Sequence, residues 1–167
     1  MKEEEKQKND ELANQLISEQ NFAAAVIAGA VATVLAAAAY GIIVAKWTFS
    51  YGFAAAGIGI VIGLSMQYLG RGISTKFAVV ATVYTITGCV LGNIFRAIVE
   101  LALANATSPI DVLRNNSLSV FAERSVSYFS LIDLVYWFVA VFCAVFLVKR
   151  PLSRSERLAV GLFELRS

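Results

Sequence analysis

The sequence predicts an all-α polytopic membrane protein with four transmembrane helices. Three observations carry this: four long apolar runs, a composition too apolar for a soluble domain, and basic residues crowded onto alternate connections. The chain has 167 residues, 58% of them hydrophobic and only 16% charged, with a mean hydropathy of +0.69. Soluble domains carry about a quarter charged residues. A helix needs about 20 mostly apolar residues to cross a bilayer.

Phe22 to Ala45 is the first such run, uncharged and built from Ala, Val, Ile and Leu. It ends at Lys46, before an aromatic turn containing Trp47, Phe49 and Tyr51. The second run covers 52–69 and is followed by the basic turn from Arg71 to Lys76. The third covers 77–104 and carries Arg96 and Glu100 near its end. The fourth covers about 128–148, includes Asp133, and stops at Lys149-Arg150-Pro151. Strands of a membrane barrel would alternate in short segments, which these runs do not.

The first twenty residues contain six acids, unlike the short basic start of a cleavable leader. Residues 1–21 therefore read as a solvated N-terminal helix, with apolar contacts at Leu12, Leu16 and Ile17. Residues 150–167 read as a tail. The connection 105–127 has a helix start at Ser108-Pro109-Ile110-Asp111, combining a capping Ser, Pro in the first turn and an acid near the positive dipole end. Ile110, Leu113, Leu118, Val120 and Phe121 give it an apolar side, so short helices at the outer interface are expected.

Orientation follows from charge. The N-terminal segment, the second connection and the C-terminal end from Lys149 onward hold ten Lys and Arg residues, and the other two connections hold three. The positive-inside rule then predicts both termini in the cytoplasm.

Helices in lipid associate through small residues that let backbones approach. Span one offers Ala25, Gly29, Thr33, Ala37 and Gly41 at four-residue intervals. Span two offers Ala55, Gly59 and Gly63, and span three Gly88 and Gly92. Span four carries Tyr136, Trp137, Phe138, Phe142 and Phe146, with no such seam expected. These seams serve packing within one bundle or, for span one above all, an oligomer contact.

Charge in hydrocarbon is costly and needs an account. Arg96, Glu100 and Asp133 fall at similar depth near the outer ends of spans three and four. They read as a pair, Arg96 with Asp133 or Glu100, locking the two spans; an ion or proton site is the sharper alternative. Thr82, Thr85, Cys89 and Asn93 form a polar stripe on span three, from packing hydroxyls or along a narrow pathway.

The sequence has no His, which removes His-based nucleophile systems and metal sites. A net charge of +2 does not suggest a nucleic-acid partner. Neither an enzyme nor a cofactor is expected. The expected function is a scaffold or accessory subunit among membrane lipids, forming homo-oligomers or binding a membrane partner. The alternative is a small oligomeric channel or carrier using the span-three stripe.

The stretch Gly57-Ile-Gly-Ile-Val-Ile-Gly63 running into Gly70-Arg-Gly72, with Gly88-Cys-Val-Leu-Gly-Asn93 and Ile132-Asp-Leu-Val-Tyr-Trp137, resembles a group of small bacterial four-helix membrane proteins. The resemblance covers about residues 22–149. It implies four spans and a bacterial inner membrane. That group has no assigned activity, so no functional residue is implied.

Overall fold

The computed structural model of the chain describes residues 3–47, 51–127 and 129–164. They form eight helices and no strand: α1 (Glu3–Ser18), α2 (Phe22–Lys46), α3 (Tyr51–Gly70), α4 (Thr75–Ala104), α5 (Pro109–Asn115), α6 (Leu118–Ser127), α7 (Leu131–Val148) and α8 (Arg154–Glu164). Four of them, α2, α3, α4 and α7, are long and apolar enough to cross a membrane. Of the expected features, Phe49, Tyr128, and Lys2 and Arg166 from the charge asymmetry lie outside the described residues.

Local chemistry starts and stops these helices. Asn21 begins α2 by accepting the Ala24 N–H at 2.9 Å. Ser108 accepts the Asp111 N–H at the start of α5, with Pro109 in the first turn. Helix α4 ends in a Schellman turn: Thr107 N–H donates to Ala102 C=O at 3.0 Å and Ala106 N–H to Leu103 C=O at 3.3 Å. Ala106 takes the left-handed φ of 51° that this turn requires.

Helices α2, α3, α7 and α4 follow one another around a four-helix bundle. Helices α3 and α4 also meet across its diagonal, while α2 and α7 do not touch among the described residues. At one end, Asn21 N–H donates to Gly70 C=O at 2.9 Å and Arg150 N–H to Gly72 C=O at 3.0 Å. Gln67 Nε2 donates to Lys149 C=O at 2.9 Å. The starts of α2 and α4 therefore lie beside the ends of α3 and α7. This makes α2 and α4 one parallel pair and α3 and α7 the other.

Small residues hold each parallel pair together. Ala25, Gly29, Thr33, Ala37 and Gly41 are all buried inside the chain. A Cβ on Gly41 would lie 2.7 Å from the Arg96 backbone nitrogen, and one on Gly29 2.6 Å from the Tyr84 ring. The seam of α2 thus closes on α4, which removes it as a contact between subunits. Gly88 and Gly92 return the approach, lying against Ile58 of α3 and Tyr40 of α2. In the second pair, Ala55 is buried, and Gly59 and Gly63 abut the backbone of Ala140 and Ala144.

Helix α7 therefore does present a small-residue seam, contrary to expectation. Ala140 and Ala144 are four apart and fully buried, among aromatic residues that point outward. The core between the pairs is Ile58, Ile62 and Met66 of α3 with Tyr40, Phe77 and Cys89. A second, smaller cluster joins Ile98 and Ala102 of α4 to Val112 of α5 and Phe121 of α6.

The expected tail instead contains α8, which packs on α1. Ala13 and Leu16 of α1 and Ala159 of α8 are buried. Leu12 is half-buried and Ile17 exposed, so α1 is not a freely solvated helix. Helix α8 starts at a capping box: Ser153 N–H donates to Glu156 Oε2 at 2.7 Å and Glu156 N–H to Ser153 Oγ at 3.4 Å. The Ser153 N–H, then its hydroxyl, hold the Glu156 carboxyl below the ordinary carboxylate range, with Arg150 adding to the effect.

A folded pKa below the unfolded one means this contribution is present above the unfolded value and lost as pH falls through the folded value. Amide protection in α8 should therefore drop on acidification through and below the usual carboxylate range. Glu156→Gln should flatten that dependence, as hydrogen exchange would measure.

Candidate functional site

The polar residues singled out on α4 differ in burial. Thr85 and Cys89 are 0% and 2% exposed and pack inside the bundle, while Thr82 is half-buried. The Thr82 and Thr85 hydroxyls donate to the carbonyls of Ala78 and Ala81, four residues back, at 2.9 and 2.7 Å. Thr33 does the same toward Gly29 at 2.7 Å. A hydroxyl satisfied this way is packing chemistry and leaves no donor facing a channel. Asn93 is 9% exposed and its Oδ1 accepts the Tyr40 hydroxyl at 3.4 Å. The stripe thus runs into the contact between α2 and α4.

The charged residues divide as well. Arg96 Nε donates to Glu100 Oε1 at 2.7 Å, with both side chains largely shielded. Asp133 is used elsewhere: its Oδ2 accepts the Ser130 N–H at 2.8 Å in the capping box that starts α7. The expectation that Arg96 and Asp133 join spans three and four is corrected. A carboxylate three residues after a serine cap finds the cap residue's own backbone N–H within reach. The pattern Ser130-Leu-Ile-Asp133 was the signal for this role, as Ser153-Arg-Ser-Glu156 was for α8.

Helix α4 has 30 residues, giving a length of about 45 Å at 1.5 Å per residue. A bilayer's hydrocarbon core is about 30 Å thick. From Phe77, that thickness is used up at about Arg96, so the Arg96–Glu100 pair belongs to the part of α4 that α5 and α6 clasp.

Beside it is a cleft of about 230 Å³ lined by Val90, Asn93, Ser125, Val126, Phe129 and Trp137. Phe129 and Trp137 meet edge to face at 5.5 Å. Ser125 donates its hydroxyl to Phe121 C=O at 2.7 Å, which is not the arrangement of a nucleophile activated by a base. Among the described residues no group of three His, Cys, Asp or Glu could hold a metal ion. The cleft can accept a small apolar group, with the Asn93 amide as its polar contact.

Comparison with protein-family models, with curated proteins and with solved structures finds no match to this chain.

Proposed function

We propose that the chain is a multi-pass membrane protein, in a bacterial inner membrane with both termini cytoplasmic, acting as a non-enzymatic scaffold or accessory subunit that self-associates. One observation carries the reading: the side chains of Thr33, Thr82, Thr85, Thr87, Asn93 and Arg96 on α2 and α4 are spent on the fold itself. Their hydroxyls return to backbone carbonyls, Asn93 meets Tyr40 and Arg96 meets Glu100. What remains outward is apolar, above all Phe138, Phe142 and Phe146 on α7. Because the α2 seam is consumed internally, that aromatic ridge is the surface through which copies associate.

The purified protein in detergent should have a mass that is a multiple of the single chain. Phe142→Ser with Phe146→Ser should reduce it to the monomer without unfolding it. Vesicles containing the protein should show no ion flux above empty vesicles. A flux abolished by Asn93→Leu, without loss of folded protein, would replace the scaffold by a channel.

For orientation, a single cysteine at Asn115 should react with an impermeant reagent on intact cells. Cysteines at Ser74 or Ser155 should react only after lysis; labelling of Ser74 from outside would invert the topology.

A further inference from the structure

On the outer side of the α2/α3 contact the two helices leave an apolar groove of about 540 Å³. Ala24, Ala28 and Ala32 of α2 form one wall, and Val61, Ser65 and Leu69 of α3 the other. From Ala24 to Ala32 it follows α2 for about 12 Å. A second apolar hollow on the same two helices shares Val61 and is lined by Ala39, Ala54 and Gly57. A Cβ on Gly57 would meet nothing within 4 Å, unlike one on Gly29, Gly41, Gly59, Gly63, Gly88 or Gly92. Glycine costs a helix about 1 kcal/mol relative to alanine, and here no contact within the chain requires it. The groove is therefore extra to the chain's own packing. In hydrocarbon it is filled by whatever apolar chain lies beside it.

Charge identifies the occupant. The groove ends at Ala24 and Leu69, and the chain turns back immediately beyond at Gly70–Ser74. Arg71, two residues past Leu69, is 62% exposed. It takes a left-handed φ of 47°, a conformation that costs a residue with a side chain about 1–2 kcal/mol. An arginine thus stands where glycine would be cheaper.

Its ion pair with Glu19 is long, 3.9 Å, and the same carboxylate oxygen is held by Arg150 at 2.7 Å. At the same end the Lys76 ammonium lies over the Phe22 ring, 5.1 Å from its centroid. An apolar groove running from a cationic turn fits an amphiphile with a hydrocarbon tail and an anionic head. We propose that it holds one acyl chain of an anionic phospholipid whose phosphate is bound by Arg71.

The inference rests on the membrane reading alone. A chain recovered from cells without detergent would sink that reading before any lipid was added. The test uses the full chain, stripped of lipid in detergent, with phosphatidylglycerol or phosphatidylcholine of identical acyl chains added. Melting temperature and the number of lipids retained in native mass spectrometry are read.

Phosphatidylglycerol should raise the melting temperature by several degrees more than phosphatidylcholine and remain bound. Arg71→Gly should remove that difference while leaving the lipid-free protein as stable or more so. Gly57→Leu with Ala24→Leu, which fill the hollow and the groove, should abolish retention of phosphatidylglycerol in a protein that still melts cooperatively. Equal stabilisation by the two lipids, or a headgroup preference surviving Arg71→Gly, overturns the proposal. So does unchanged lipid retention with an altered oligomeric mass in the groove-filling variant, which would make the groove a contact between copies.

Discussion

Gly59→Ala will lower the melting temperature of the detergent-solubilised protein, while Gly57→Ala, two residues earlier on the same helix, will raise it. The substitution adds the same methyl group to α3 in both cases. At Gly57 the methyl meets open space, so the change keeps the gain of about 0.5–1 kcal/mol that alanine brings to a helix. At Gly59 it lands on the carbonyl oxygen of Ala140, with the Ala140 carbonyl carbon at 2.7 Å and Cα at 3.0 Å.

All three neighbours are backbone, and no flexible side chain can swing away. Helices α3 and α7 must separate, opening the approach of Gly59 and Gly63 to Ala140 and Ala144. Overpacking of this kind costs about 1–3 kcal/mol and sometimes more, which exceeds the propensity gain. Gly59→Leu should leave little folded protein. Gly29→Ala should be milder, because the Tyr84 ring and the Met66 sulfur that it meets are side-chain atoms able to move. If Gly57→Ala and Gly59→Ala shifted the melting temperature the same way, the close approach of α3 to α7 would be wrong.

The second large effect is expected at Arg96 and Glu100. Their side chains are 15% and 23% exposed, so removing one takes the ion pair from a charge mostly shielded from water. Arg96→Leu or Glu100→Leu alone should each cost about 1–3 kcal/mol, below the 3–5 kcal/mol of a fully buried pair because water still reaches both groups. The double substitution should recover a good part of that loss, since it removes both charges together.

Asp133→Ala should cost about 1 kcal/mol through the lost α7 cap. It should add to Arg96→Leu without coupling. Melting temperatures across both double-mutant cycles test this. Coupling of Arg96 to Asp133 larger than to Glu100 would restore the inter-helix pair and remove the capping role.

The start of α5 was legible because it depends on neighbours in the chain: Ser108 caps within three residues and Pro109 presets the first turn. The partner of Asp133 was equally local, through Ser130. It was misread because a charge beside an apolar run invites a search for an opposite charge before a backbone N–H. Helix α8 was missed for a related reason. Its helical residues follow Pro151 and carry Arg and Glu, and the capping box at Ser153 is the one strong mark of a start. Its burial on α1 joins parts of the chain more than 130 residues apart.

The seams were visible as residue types, yet Ala140 and Ala144 of α7 were hidden among Phe and Trp. In lipid a pair of alanines suffices when the facing residue is glycine, because close approach depends on the sum of both sides.

By itself the sequence determined that the chain has four apolar helices of membrane-spanning length. A run of some twenty apolar residues can satisfy its backbone in hydrocarbon only by bonding to itself as a helix or by closing a barrel, and periodicity excludes the barrel. Only the tertiary structure decided which faces meet. Spacing places Gly29 and Gly41 on one side of α2, but whether α4 or a second copy covers that side depends on the whole bundle's packing. The same holds for Arg71 and Arg150, 79 positions apart, which meet at Glu19 because the start of α2 and the ends of α3 and α7 lie at one end of the bundle.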